Sequence, residues 1–475
     1  MKPMDESQKQ SVEGVQPPAG TCPFKHLMEA PTPSGGPVVL DRENPEFLAT
    51  AYATYARLRE QAPVVRTLFA KGVMDTRKVD SRAGSTADLA SSEERLLVTR
   101  YDEAVAALLD GSLSSDFRTG MTPRQLEGLA HMPEEARSLA NSLISRDPPD
   151  HTRLRKLVQP SFTARAMETL RPRIQRITDA LLDKAEREAA GRGQAAPDRQ
   201  MDLLEAFAYP MPITVISDLL GIPEEDRERI NHLAELLMNT DRFDASLAAT
   251  RREQTRRFNA YLEELFERKR REPAEDMISQ MVHTQEEDGD RLGHEEMISM
   301  VHILFFAGHL TTVNLIGNGV VALFSHPDQH ARMVADPSLA KGMVEETLRY
   351  WGPVDYVGAS RTAIADTQLG GVSIPQGAEV SIGLGSANRD PSRFPDPDVY
   401  DITRPEAHRN IAFGKGIHVC LGAPLARLEG QIAFETLFRR YPKLRLAVPV
   451  EQLKWGAGVG SGVGLRGFAR IPVLF

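Results

Sequence analysis

The chain has 475 residues, with 57 basic and 66 acidic side chains, so its formal net charge is −9. This acidic balance argues against a protein that coats nucleic acid or an anionic membrane, because both require a basic surface. The two cysteines, Cys22 and Cys420, are too few for a disulfide scaffold or a cysteine-built zinc ribbon. We therefore expect a cytoplasmic protein without a nucleic-acid partner.

The sequence contains no segment typical of a membrane anchor. Its longest apolar stretch, VHILFFAG at 301–308, is far shorter than the roughly 20 residues of a spanning helix. The N-terminal segment MKPMDESQKQSVEG lacks the apolar core of a signal peptide. We expect no membrane anchor.

The sequence pattern of the first part of the chain predicts a tail, a helix and a pair of strands. Residues 1–36 are polar and rich in Pro, Gly and Ser, which is typical of a flexible tail, and Cys22 lies there as an unpaired thiol. The elements that follow are a helix, a strand, a polar loop insertion and a second strand: Glu46–Glu60, Pro63–Phe69, 71–94 and Leu96–Thr99.

The rest of the chain predicts a mainly helical protein with small β sheets, an α+β fold. Thr99 or Asp102 is expected to cap a helix over Ala104–Leu109. The pattern is helical over about 134–350, and short strands punctuated by Gly and Pro follow. No repeat or linker divides the chain, so 37–475 is predicted to be a single domain.

A glycine-rich loop surrounds the second cysteine. Residues 413–422 read FGKGIHVCLG, with three glycines in ten residues, and helical periodicity begins at Ala423. Cys420 therefore precedes a helix N-terminus, which favours the thiolate that a metal or a nucleophilic mechanism requires. The alternative is an inert buried cysteine, the commoner fate of a lone Cys.

This loop resembles the haem-binding loop of the cytochrome P450 superfamily, F-x-x-G-x-x-x-C-x-G. The match is complete at Phe413, Gly416, Cys420 and Gly422. Gly414 and His418 also match the form of soluble bacterial members. The resemblance implies haem b (iron protoporphyrin IX) between this loop and a long central helix. It implies Cys420 as the thiolate that ligates the haem iron and favours O–O cleavage.

The central helix is predicted over Glu295–Ser325. It is apolar nearly all round from Met297 to Ala307, so it should be buried. Its middle resembles the oxygen-binding groove of the family, A-G-x-(acid)-T, and Ala307, Gly308 and Thr311 match. The resemblance implies a catalytic role for these three residues.

Leu310 departs from that pattern, because it occupies the position where most members carry Asp or Glu. In the family this acid helps to relay protons to dioxygen, and leucine has no group that can do so. Three alternatives remain: Thr311 acts with ordered water or a substrate hydroxyl, His309 contributes, or turnover is slow and poorly coupled. We favour delivery through water, since His309 is expected to point elsewhere.

A basic pair precedes the helical middle of the chain. His151 and Arg155 lie four residues apart in DPPDHTRLRKLV and share a helix face that suits an anion. The alternative is a solvated basic face. The segment is similar to the family helix that holds the haem propionates, and Arg361 and His418 match two further propionate residues.

Glu346 and Arg349 are spaced so that they can bond on one helix face. Taken alone, this spacing is more typical of a surface ion pair of little value. It resembles the E-x-x-R helix of the family, whose third member matches Arg404. The implied role is structural.

The resemblance implies a monooxygenase that uses dioxygen and two external electrons. It would hydroxylate or epoxidise an apolar small molecule, as in secondary-metabolite biosynthesis. Alignment with the family places the substrate against Ile303, Phe306, Val357, Ala359 and Val463. The alternatives are a peroxide-dependent oxygenase or isomerase on the same fold, and a non-catalytic haem-binding protein. The retained Thr311 weighs against both.

No flavin or nicotinamide domain remains in the sequence, so a ferredoxin and its reductase are expected to supply electrons to a monomeric enzyme. An acidic ferredoxin would require a basic docking face. Candidates for that face are Arg153, Lys156, Lys415, Arg427, Arg439 and Arg440.

Overall fold

The computed structural model describes most of the chain in ten ranges: 38–41, 44–69, 93–119, 121–130, 141–195, 198–239, 245–283, 292–357, 360–456 and 465–475. The predicted tail and residues 71–92 of the predicted loop insertion lie outside these ranges. The predicted domain boundary at residue 37 therefore stays a prediction.

Helices form most of the described structure, as predicted. In chain order they are α1 (Pro45–Gln61), α2 (Tyr101–Leu109), α3 (Pro123–Ala130), α4 (Asp150–Val158), α5 (Ala164–Glu168), α6 (Arg171–Gly191), α7 (Pro210–Leu220), α8 (Arg227–Asn239), α9 (Ala248–Arg271), α10 (Met277–His283), α11 (His294–Phe324), α12 (Pro327–Ala335), α13 (Ala340–Trp351), α14 (Leu384–Ala387) and α15 (Ala423–Arg440).

The strands are short and form small sheets. They are β1 (Val38–Leu40), β2 (Val64–Phe69), β3 (Glu93–Val98), β4 (Leu113–Ser114), β5 (Gln200–Asp202), β6 (Arg361–Ala363), β7 (Thr367–Leu369), β8 (Val372–Ile374), β9 (Glu379–Ile382), β10 (Arg445–Leu446) and β11 (Pro472–Leu474). The largest sheet has the order β1-β2-β3-β9-β6-β4, a second has the order β10-β11-β5, and β7 pairs with β8.

The predicted pairing of the first long strands is confirmed. β2 and β3 run antiparallel, with Val64 opposite Val98 and Phe69 opposite Glu93. Glu93 and Glu94 therefore belong to a strand and not to the loop insertion, because ladder pairing to β2 extends the strand beyond its apolar run.

The central helix α11 has 31 residues, so it is about 45 Å long. It packs against α7, α13 and α15. Among the described residues it is the one helix long and apolar enough to cross a membrane, and 72% of its apolar window is buried inside the protein. An apolar surface on all sides is what a core helix requires.

The predicted cap of α2 is wrong. The helix begins at Tyr101 after Arg100, and within the described part of the chain its N-cap residue Arg100 makes no side-chain cap bond. The Thr99 hydroxyl instead donates to the carbonyl of Ala62 at 2.8 Å, and the Asp102 carboxylate accepts from Arg393 at 2.9 Å. Both side chains bind distant segments, which local sequence does not show.

Candidate active site

The Cys420 loop is a tight glycine turn that folds against α2. The backbone N–H of Cys420 donates to the carbonyl of Phe413 at 2.9 Å. Gly414 and Gly416 have φ of 70° and 75°, a region that side chains disfavour. A Cβ on Gly416 would lie 2.8 Å from the carbonyl oxygen of Leu108. This turn therefore requires glycine.

Cys420 lies just before α15, as predicted. The predicted drive toward thiolate is wrong for the chain alone. Burial among surrounding protein atoms raises the pKa of the thiol and outweighs the opposing effects of the Gly422 N–H and Arg155. A bound metal ion supplies the positive charge that a stable thiolate needs here.

His151 and His418 meet beside this loop, with ring centroids 4.2 Å apart. The Nε2 atom of His418 lies 2.9 Å from Oγ of Ser115. Burial lowers the pKa of both rings. For His418 the pKa falls to about 3, and the positive charge of Arg361 contributes to the shift. The motifs do not indicate Ser115, because it lies 303 residues from His418 in the chain.

His151 is 2% exposed, and neither of its ring nitrogens has a hydrogen-bond partner in the described part of the chain. Arg361 on β6 is similarly buried, and its Nε has no partner there. Burial lowers the pKa of this guanidinium, and Asp147 acts in the opposite direction. Buried polar groups of this kind normally have a partner, so these two side chains fit an anionic group between them.

Arg155, predicted to share the anion-binding face with His151, lies on α4 against the Cys420 loop. Its Nη1 donates to the carbonyls of Ile417 and Val419 at 2.8 and 2.9 Å. The guanidinium thus ties α4 to the Cys420 loop, and it lowers the pKa of the Cys420 thiol. Its observed contacts are to the loop backbone.

The middle of α11 borders an interior space. Ala307 is exposed although Phe305, His309 and Leu310 around it are buried. An exposed residue in the middle of a buried helix marks a space inside the protein. The Thr311 hydroxyl donates to the carbonyl of Ala307 at 2.9 Å, the back-bonding expected from the sequence.

The predicted substrate residues divide into two groups. Ile303, Phe306 and Val357 are described and partly buried. Gly308 is also partly buried, and a Cβ there would lie 3.3 Å from Cδ1 of Ile216. Ala359 and Val463 lie outside the described residues.

Leu310, at the position of the missing acid, and His309, one of the alternatives to that acid, are both buried. Leu310 is 4% exposed. The Nδ1 atom of His309 donates to the carbonyl of Phe305 at 2.6 Å, and burial lowers the pKa of this ring to about 4. Its ring packs edge-on against Tyr209. As the sequence indicated, His309 points elsewhere.

Glu346, Arg349 and Arg404, here called the Glu346 cluster, lie together. Arg349 donates twice to Glu346 at 2.7 Å, and Arg404 Nε donates to Glu346 Oε1 at 3.2 Å. Arg349 also donates to the carbonyl of Pro397 at 2.7 Å. The side chains of Glu346 and Arg349 are fully buried, so the pair is not a surface ion pair.

The predicted basic docking face is weaker than the sequence indicated. Its four arginines form ion pairs with carboxylates, as Arg153–Glu296, Arg427–Glu345, Arg439–Glu435 and Arg440–Glu186. Arg427 also lies over the Phe413 ring, 4.6 Å from its centroid, a contact that the motifs did not indicate. Ile417 in the loop and Leu109 at the end of α2 are 49% and 57% exposed.

Together these residues fit a haem. The loop offers one sulfur to a metal. His151 and Arg361 are buried, and their atoms that lack a partner among the described residues could bind the haem carboxylates. Ala307 borders an interior space beside the central helix. This donor set matches the thiolate ligation of haem proteins that activate oxygen.

Comparison with known proteins agrees with a haem site of this kind. The cytochrome P450 family model matches residues 122–446. The chain is 42% identical to the cytochrome P450 monooxygenase PikC of Streptomyces venezuelae, over 90% of this chain and 92% of that protein. It is 37% identical to 6-deoxyerythronolide B hydroxylase of Saccharopolyspora erythraea, over 92% of this chain and 98% of that protein.

Solved structures show the same fold. The polyketide synthase cytochrome P450 PksS of Bacillus subtilis superposes with a TM-score of 0.76 and 34% identity, over 91% of this chain and 98% of that one. The ligand-free P450 monooxygenase TamI superposes with a TM-score of 0.75 and 36% identity, over 93% of this chain and 94% of that one. The chain therefore belongs to the cytochrome P450 family and is a haem-thiolate monooxygenase whose cofactor is haem b.

Proposed function

We propose that this monooxygenase hydroxylates or epoxidises an apolar small molecule of secondary metabolism. The observation that carries the proposal is Ala307, exposed in the middle of the buried helix α11. The names of the relatives support the substrate class, since they include a hydroxylase of 6-deoxyerythronolide B and a P450 of polyketide biosynthesis. Both names point to reduced, largely apolar carbon skeletons.

The residues around the loop would hold the cofactor. Cys420 is proposed as the ligand of the iron, and His151, Arg155, Arg361 and His418 as the partners of the haem carboxylates. Arg155 also fixes the loop through its bonds to Ile417 and Val419. Phe413, Gly414 and Gly422 would shape the turn, and a Cβ on Gly422 would lie 4.0 Å from the Cys420 sulfur. When bound, the haem supplies the iron centre at which dioxygen is reduced.

The distal residues would position the substrate and deliver protons. Ala307 and Gly308 leave space for dioxygen, and the Thr311 hydroxyl orders water beside it. The proposed substrate contacts are Ile303, Phe306, Val357, Ala359 and Val463. Apolar side chains in this position exclude bulk water and favour apolar ligands.

Like other bacterial P450s, the enzyme needs a redox partner. We assign this role to a ferredoxin with its reductase, acting on a monomeric cytoplasmic enzyme whose single domain spans 37–475. The exposed side chains of Leu109 and Ile417 beside the Cys420 loop support docking there. Interface centres are commonly apolar with a charged rim, and Lys415 lies two residues from Ile417.

The assignment is tested with a matched pair of cysteine variants. Wild-type protein reduced under carbon monoxide should show the red-shifted Soret band of thiolate ligation. Cys420→Ser should lose that band, and Cys22→Ser should keep it because Cys22 lies in the predicted tail. A Cys420→Ser protein that retained the band would contradict the ligand assignment.

The reaction is tested with NADPH, a surrogate ferredoxin and its reductase. A compound that shifts the iron spin state should be converted to a product one oxygen atom heavier. The absence of both oxygen uptake and product would favour the non-catalytic alternative. Equal product from hydrogen peroxide alone would favour the peroxide-dependent one.

A further inference from the structure

Asp355 and Arg466 form a buried ion pair that the proposed function does not use. The two residues lie 111 positions apart in the chain, and they are 2% and 1% exposed. The Nε atom of Arg466 donates to Oδ1 of Asp355 at 3.0 Å, and its Nη2 donates to Oδ2 at 2.8 Å. A fork of two charge-assisted bonds fixes the direction of both side chains as well as their distance.

Arg466 joins three segments of the chain. Its backbone N–H donates to the carbonyl of Pro353 at 2.8 Å, and next to it Val354 and Leu465 form an isolated antiparallel bridge. Its Nη1 donates to the carbonyl of Leu48 in α1 at 2.7 Å. The same side chain therefore holds the segment after α13, the C-terminal segment and α1 together.

The carboxylate of Asp355 is held from its other sides too. The Tyr55 hydroxyl donates to its Oδ2 at 3.1 Å, and the Tyr356 hydroxyl donates to that of Tyr55 at 2.6 Å. The backbone N–H of Gly385 donates to the Asp355 carbonyl at 3.0 Å. A Cβ on Gly385 would lie 2.7 Å from Oδ1 of Asp355, so the carboxylate has little room to move.

The central helix α11 is tied to the same pair. The Nδ2 atom of Asn318, which is fully buried, donates to the carbonyls of Trp351 and Arg466 at 3.0 Å each. A Cβ on Gly467 would collide with the side chain of Asn314. The segment that carries Arg466 therefore lies directly on α11, one turn beyond the part of the helix that borders the interior space.

The segment that carries Asp355 ends at a proposed substrate contact. Val357 is partly buried, and its backbone N–H donates to the carbonyl of Ile382 in β9 at 3.0 Å. The proposed contacts Ile303 and Phe306 lie on α11. One wall of the proposed substrate space thus belongs to α11 and the other to the segment 353–357, and the ion pair together with Asn318 fixes the spacing between them.

We propose that Asp355 and Arg466 are positioning residues for substrate selection, which hold Val357 at a fixed distance from α11. Stability alone explains such a pair poorly, because apolar side chains of similar volume often replace a buried ion pair without loss. What apolar side chains do not reproduce is the fixed direction of a bidentate fork. This inference rests on the proposed function, which places substrate against Val357, and the pair acts through that residue.

The test measures the binding of two azoles to the haem-loaded protein by optical titration. Imidazole is small, whereas 4-phenylimidazole adds a phenyl ring that must pack against the walls of the space. The test variant carries Asp355→Leu and Arg466→Met together, which removes both charges and keeps similar volumes. The dissociation constant of 4-phenylimidazole should rise about tenfold, the cost of ordering one or two loosened side chains again. That of imidazole should stay within about twofold of wild type.

Two further measurements separate positioning from a merely structural role. The urea midpoint of the double variant should lie close to that of wild type, so a selective loss of 4-phenylimidazole cannot come from a damaged fold. The matched control is Arg470→Met, because Arg470 lies four residues after Arg466 and its pair with Asp202 is 71% exposed on the arginine side. It should bind both azoles as wild type does.

A single variant replaces the double variant if the latter fails to fold. Arg466→Lys keeps the charge, but one ammonium group cannot reproduce the fork to Asp355 together with the bond to the Leu48 carbonyl. It should show the same selective loss of 4-phenylimidazole, and wild-type binding of both azoles by this variant would count against the inference.

Three results would overturn the inference and leave the proposed function intact. They are an unchanged dissociation constant of 4-phenylimidazole in the folded double variant, an equal rise for both azoles, and a wild-type protein that binds imidazole alone. In each case the carbon monoxide band of wild type, recorded in the same series, still reports on the haem site. A wild-type protein that bound neither azole and lacked this band would count against the proposed function itself.

Discussion

Arg349 binds Glu346 through two parallel hydrogen bonds of 2.7 Å, with both side chains fully buried. Arg404 adds a third bond to the same carboxylate. Arg349 and Arg404 both donate to the carbonyl of Val399. The cluster therefore joins α13 to the irregular segment that precedes the Cys420 loop. Removing one partner of such a pair leaves a buried charge uncompensated.

We predict that Arg349→Gln lowers the free energy of unfolding by about 3–5 kcal/mol, the usual cost of breaking one side of a buried ion pair. Urea denaturation of the haem-loaded protein measures the change. The matched control is Arg439→Gln, whose ion pair with Glu435 is exposed and should be worth under about 1 kcal/mol. Equal losses in the two variants would contradict the structural role of the cluster.

The sequence predicts the elements that depend on local periodicity. The limits of α11 differ from the predicted helix by one residue at each end, because its apolar pattern and its caps are local. The positions of Cys420 and of the Glu346 cluster follow from motifs. The contacts of Thr99, Asp102 and Ser115 were not predictable, since each partner lies far away in the chain. The raised pKa of the Cys420 thiol was also not predictable, because burial depends on tertiary packing.

His151 gives a prediction for cofactor retention. His151→Phe removes two ring nitrogens that have no hydrogen-bond partner among the residues the structure describes, and it keeps an aromatic ring against His418. If these nitrogens serve a haem carboxylate, haem should transfer to excess apomyoglobin about tenfold faster, the effect of losing one hydrogen bond to a charged group.

The control for this experiment is His408→Phe, because His408 is exposed and its Nδ1 bonds only locally to the Pro405 carbonyl. It should lose haem at the wild-type rate. Equal haem loss from His151→Phe and wild type would show that His151 makes no bond to the cofactor.

Ile417 gives a prediction for electron transfer. Ile417→Asp places a negative charge beside the Cys420 loop, so an acidic ferredoxin should be repelled. We expect the KM for ferredoxin to rise several-fold, with an unchanged carbon monoxide spectrum. Ile364→Asp is the matched control, since Ile364 is 44% exposed and belongs to a different segment, just after β6. A similar KM in both variants would place the docking face elsewhere.

His302 gives a prediction for the pH dependence of stability. Burial lowers its pKa from 6.5 to about 4, so the unfolded chain binds a proton more readily than the folded one. The contribution of this histidine is therefore complete above about pH 6.5 and is lost as the pH falls toward 4. By about pH 5 the loss should be on the order of 2 kcal/mol. Urea denaturation of His302→Gln across this range should show a flatter decline than wild type, while His408→Gln should follow the wild-type curve. Parallel curves for His302→Gln and wild type would mean that His302 does not titrate on unfolding.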